Sequence, residues 1–145
     1  MSATTKTLYE TDFAAWAGEM AAALRARAFD ELDLENLAEE IEGLAIAQRK
    51  AVRSQLQRLM LHLLKQQLQP ERDGASWRVS IISARNEILD DIEDSPSLRA
   101  HLEQNIQRVY RFAIEEALGE TGSSQKLPAR CPWTLDELLA QRQPR

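Results

Sequence analysis

At 145 residues, with 43% apolar and 28% charged content, the chain has the make-up of one ordinary globular domain, not of a disordered or membrane-embedded one. Its net charge of −5 weighs against nonspecific attraction to nucleic acid or anionic lipid. The lone Cys131 excludes an intramolecular disulfide and a multi-cysteine metal cage. No apolar run approaches the ~20 residues of a membrane span. The longest, LMLHLL at 59–64, is interrupted by His62, and MSATTKTLYE lacks the apolar core of a signal peptide. The expected setting is the cytoplasm, with no membrane partner. Good helix formers dominate, and VSII at 79–82, the best strand candidate, sits inside a helical pattern, so an all-α fold is expected.

Residues 1–8 are polar and are expected to be loose. Thr11 or Asp12 can cap a first helix with the stripe Phe13, Trp16, Met20 and Leu24, and Arg25 and Arg27 suit its negative C-terminal pole. A short acidic connection leads to Asp33, the expected N-cap of one long helix over about 33–68. Its apolar face carries Leu34, Leu37, Ile41, Leu44, Val52, Leu59 and Leu63. Seven acids lie between Asp30 and Glu42 and the bases Arg49, Lys50, Arg53 and Arg58 follow, the order that a helix dipole favours. Glu35, Glu39 and Glu42 share the opposite, solvated side. Such a helix would span ~50 Å, longer than a compact chain of this size, so an elongated antiparallel bundle of about four main helices is expected.

Past Met60 the helix turns apolar on two sides. Leu61, Leu64 and Leu68 require cover from a later segment or from a second copy. Pro70 ends the helix, QPERDGA forms a loop, and Ser76 is the expected cap of a third helix bearing Trp77, Ile81, Ala84, Ile88 and Ile92, broadened by Ile82 and Leu89. Ser95 caps and Pro96 opens a fourth helix that buries Leu98, Leu102, Ile106, Val109 and Ala113 and stops at Gly119 and Gly122. Residues 119–132 read as a linker. Thr134 and Glu137 then form a capping box for a terminal anchor helix over 133–141, with Trp133 stapled on Leu138. The organisation expected is a single domain over 1–145.

The segments YETDFAAW (9–16), FDELDLENLAEEIEGL (29–44), HLLKQQLQPERDGASWR (62–78), DSPSLR (94–99) and CPWTLDELL (131–139) occur in an order and spacing that resembles the bacterial "domain of unknown function twenty-nine" family over nearly the whole chain. The most specific part is PERDGASWR followed by DSPSL. Family members are often more aromatic around Gln66 and Leu68, a departure that bears on packing. The resemblance implies a small, all-helical bacterial protein and supplies no catalytic or binding residue.

Chemistry-bearing motifs are few. A carboxylate-bridged metal bundle needs Glu-x-x-His pairs, but Leu59 and Leu98 stand three residues before His62 and His101, so no metal or other cofactor is expected. Cys131 precedes proline in a linker with no histidine nearby in sequence, and there is no phosphate-cradling glycine loop or dinucleotide fingerprint. The polar group most suggestive of a site is His62, Lys65, Arg72, Trp77 and Arg78, where two guanidinium forks beside a helix start suit a carboxylate or phosphate. The alternative is that Arg72 and Arg78 pair with Glu71, Asp73 or the acids of 30–42. The candidate interface is Met60, Leu61, Leu64 and Leu68. The leading expectation is a non-enzymatic interaction or regulatory module that self-associates or binds a protein partner. Two alternatives stand beside it: a small-ligand or hydrolytic site near His62, Arg72 and Arg78, and a nucleic-acid-linked role through Arg49–Arg58, which the global charge opposes.

Overall fold

The computed structural model describes residues 8–140, all helical or irregular with no strand among them. After helical residues 8–11 come α1 (Phe13–Arg25), α2 (Leu34–Leu68), α3 (Ala75–Asp94), α4 (Ser97–Thr121) and α5 (Leu135–Leu139), with 3-10 turns at Phe29–Glu31 and Pro70–Arg72. The chain divides into two compact units, Met1–Ala47 and Gln48–Arg145. Gly43 does not break α2, which runs unbroken as a helix.

In the first unit, Leu8 is already helical, so the loose start expected for 1–8 fails at Leu8, while residues 1–7 lie outside the described ones. Asp12 caps α1, its Oδ1 accepting the Ala15 N–H at 3.0 Å. Trp16, Met20 and Ala23 are buried with Leu32, and Leu8, Tyr9 and Leu37 close over them. Tyr9 meets Trp16 edge-on at 4.7 Å. The ends of the expected stripe, Phe13 and Leu24, are exposed. Helix α1 ends in a Schellman turn: the Ala28 N–H donates to the Ala23 carbonyl at 2.9 Å and that of Arg27 to Leu24 at 3.1 Å. Arg27, at φ 56°, holds the left-handed position usually given to glycine, which costs about 1 kcal/mol. Its place is therefore set by the turn as much as by the helix dipole. Asp33 begins α2 as expected. It is fully buried, and its carboxylate accepts the Asn36 N–H at 3.5 Å and the Asn36 carboxamide at 2.6 Å.

In the second unit the core gathers Val52, Leu56, Leu59, Met60, Leu63 and Leu64 of α2 with Ile81 and Ile88 of α3, Leu102, Val109, Tyr110 and Ala113 of α4, and Leu135 and Leu138 of α5. Two expected caps are not used. Gly74, not Ser76, holds the N-cap position of α3, and Ser76 lies within its first turn. The Ser95 hydroxyl accepts from Gln48 Nε2 at 3.1 Å instead of capping α4. Ile82 is exposed instead of broadening the buried face of α3. Gly119 lies inside α4, which continues to Thr121. Gly122 ends it at φ 65°, its N–H on the Leu118 carbonyl at 2.9 Å.

The expected linker is pinned to α4. Gln107 donates from Nε2 to the Ala129 carbonyl (2.9 Å) and accepts the Cys131 N–H at Oε1 (2.8 Å), and the Tyr110 hydroxyl donates to the Pro128 carbonyl at 2.7 Å. Trp133 stands edge-on to Tyr110 at 6.0 Å. The short helix α5 then starts at Thr134, whose hydroxyl accepts the Glu137 N–H at 3.1 Å. Residue 141 of the expected anchor helix lies outside the described residues. Thr134→Ala is expected to cost about 1 kcal/mol, read as faster amide exchange over 135–139 with exchange in α4 unchanged.

Candidate functional site

The residues singled out by sequence separate into three environments. His62 turns back on its own helix, its Nδ1–H donating to the Arg58 carbonyl at 2.8 Å. Lys65 places its ammonium 4.9 Å from the centre of the Trp77 ring and pairs with Glu120 at 2.8 Å. Trp77 is thus half-buried beneath a cation, not sealed in an apolar stripe. Arg78 faces Asp73 at 3.9 Å, and Asp73 also accepts from Gln66 at 3.1 Å. Arg72 is exposed in the 3-10 turn. Arg78 therefore follows the pairing alternative. Lys65 and Trp77 are brought together, and no bond joins either to His62.

The expected interface is corrected. Met60, Leu61 and Leu64 are buried in the core of the second unit, and Leu68 packs half-buried against it. The chain's own later helices supply the cover that the two-sided apolar end of α2 requires. Exposed apolar surface lies elsewhere. On α2, Leu34, Ile41 and Leu44 are 66%, 64% and 73% exposed. At 100° per residue they fall within about 80° of one another on one side of the helix. On α3, Val79 and Ile82 flank Ser83, Asn86 and Asp90 along a shallow open hollow of about 560 Å³. The placement of Ile41 and Leu44 overturns the expectation that they are buried with the rest of their stripe.

A second polar group joins α2 to α4. Arg53 Nη1 stands 3.0 Å from His101 Nε2, and Asn105 donates to the His101 carbonyl at 2.7 Å. A guanidinium has only donors, so His101 accepts at Nε2 and is neutral in this arrangement. Burial, Arg53 and then Arg49 hold its pKa below the ordinary histidine value. Among the described residues, Arg49, Lys50, Arg53 and Arg58 make no ion pair. Nothing in the spacing of Arg53 and His101, 48 residues apart, signals that they pair.

Arg85, outside every group expected from sequence, is buried on α3. Its Nε donates to the Leu138 carbonyl at 3.0 Å, at the last turn of α5, while Nη2 has no partner among the described residues. The signal was an arginine four residues after Ile81 on an otherwise apolar stripe. Burial lowers its pKa, and the bond ties the terminal helix to α3. Cys131 lines an open hollow of about 580 Å³ with Ile106, Gln107 and Trp133. Its thiol pKa is raised, chiefly by burial, and Sγ–H donates to the Trp133 carbonyl at 3.4 Å. A thiolate nucleophile needs the opposite shift. Tyr9 donates to the Glu40 carboxylate, a bond that, with burial and nearby acids, pushes its pKa up to about 12. Among the described residues no three His, Cys, Asp or Glu gather as metal ligands, and no helix is long and apolar enough to cross a membrane.

The family model described as "Domain of unknown function DUF29" matches residues 8–142, nearly the whole chain. The chain is a DUF29 protein. The match runs from Leu8 through α5, so both units of this DUF29 chain carry the family pattern. No curated protein and no solved structure matches it.

Proposed function

We propose that this DUF29 protein is a non-enzymatic interaction module whose docking surface is the Leu34, Ile41 and Leu44 face of α2, and that the occupant is a second copy of the chain. The observation that carries the reading is the exposure of three large aliphatic side chains on one side of a helix, a pattern common at protein–protein contacts. A single exposed leucine is ordinary; three on one line are not. A second copy suits this face because an isologous contact sets the same aliphatic row against itself and covers both rows at once. A bacterial, cytoplasmic setting accords with the family resemblance and with a chain of one cysteine.

Light scattering after size-exclusion chromatography tests this. The wild-type chain is expected to show a dimer mass, which the double change Ile41→Asp and Leu44→Asp converts to a monomer with unchanged helix content by circular dichroism. A wild-type monomer at all concentrations that cross-linking reaches would overturn self-association.

A further inference from the structure

We propose that Arg49 and Arg53 of α2, with His101 of α4 against Arg53, form a binding site for a small tetrahedral oxyanion of the phosphate or sulfate type. The site is separate from the aliphatic face above. Its first warrant is geometric: a guanidinium 3.0 Å from an imidazole nitrogen is attractive only while the ring is neutral and presents its lone pair. The second is a missing counter-charge. Arg49 and Arg53, four residues apart on α2, share one helix side, and neither pairs with a carboxylate among the described residues. The charges that act on the ring come from Arg53 and Arg49, and its neighbour on its own helix is the neutral Asn105. Two cations thus stand by a neutral ring with no carboxylate paired to either among the described residues, an arrangement that a bound anion compensates.

The donor set fits an oxyanion. The two arginines leave α2 at points about 6 Å apart along its axis, so that their guanidinium forks can reach different oxygens of a tetrahedral group. The bound negative charge favours the imidazolium, so Nε2 changes from acceptor to donor and can turn from Arg53 to the ligand. The proton comes from solvent and stays on the ring while the anion is bound. Asn105 Nδ2 donates to the backbone carbonyl of His101 at 2.7 Å and stands 3.4 Å from ring Nδ1, the nitrogen that carries the proton while Nε2 accepts from Arg53. As a neutral group it adds no charge against the imidazolium. The sign follows: the free site holds the His101 pKa low, the anion raises it, and binding takes up a proton. Oxyanion affinity therefore rises as pH falls through the histidine range.

The test uses sulfate, whose charge is constant over that range. The ring resonances of His101 are followed by NMR through pH titrations in chloride and in sulfate at equal ionic strength. His62, the other histidine, is the internal reference, its Nδ1–H held by the Arg58 carbonyl. Sulfate is expected to raise the His101 midpoint by about one unit, to saturate, and to leave the His62 ring shifts as they are in chloride. Arg49→Gln, at an exposed position, is expected to abolish the sulfate-specific shift, and Arg49→Lys to retain part of it. Equal midpoints in both salts overturn the proposal. So does a shift that grows without saturating, which is screening, or one that persists in both Arg49→Gln and Arg53→Gln.

Discussion

Trp16→Ala is expected to destabilise the first unit by about 3–5 kcal/mol, as truncation of a buried aromatic does. Trp16 is 2% exposed, and Tyr9 and Phe13 meet its ring at 4.7 Å and 5.5 Å. Met20, Ala23 and Leu32 complete a small buried cluster with Leu8, Tyr9 and Leu37 packed against it, so the indole is its largest member and alanine would leave much of that volume empty. One term works the other way. The buried indole N–H has no partner among the described residues, and its removal returns some of the roughly 1–3 kcal/mol that an unmade hydrogen bond costs. Trp16→Phe should therefore cost much less than Trp16→Ala. Chemical denaturation of both variants, with amide exchange read over α1, checks the order. Equal losses would mean that ring packing does not hold this cluster.

Leu64→Ala is expected to cost about 2–5 kcal/mol, while Leu44→Ala, twenty residues earlier on α2, should cost less than about 0.5 kcal/mol. Both are leucines of one helix with the same intrinsic propensity. They differ in cover: Leu64 is 1% exposed inside the second unit's core and Leu44 is 73% exposed. Denaturation midpoints of the two variants, measured at a concentration where the chain is monomeric, test the contrast. A large loss at Leu44 with little at Leu64 would place the face of α2 the wrong way round. A loss at Leu44 that appears only at high protein concentration would instead trace it to association.

Much of the local structure was legible because it depends on neighbours in sequence. Asp12, Asp33 and Thr134 cap helices through oxygens that reach N–H groups three residues on, and Pro70 and Gly122 end helices through their own backbone restrictions. Ser76 and Ser95 show the limit of that reasoning. Each has capping chemistry, yet Gly74 takes the first position, and the second hydroxyl is engaged by Gln48, 47 residues away. The Gln107 bonds that convert an apparent linker into a fixed strap likewise join residues 22 and 24 apart.

The candidate sites divide in the same way. The spacing of His62, Lys65, Arg72, Trp77 and Arg78 suggested convergence. Helix direction sends His62 back to Arg58, while Lys65 reaches both Trp77 and Glu120. His101 and Arg53, 48 residues apart, meet because α2 and α4 share one core.

By itself the sequence determined the all-α class, the length of α2, most helix ends and the family. Propensity, apolar period and capping act over one to four residues and need no third dimension. Only the tertiary structure decided which part of one continuous apolar stripe is covered. Val52, Leu56, Leu59 and Leu63 are buried because α3, α4 and α5 pack on them, and Ile41 and Leu44 carry the same pattern uncovered. Periodicity reports which side of a helix is apolar, and burial depends on whether another element arrives to cover it.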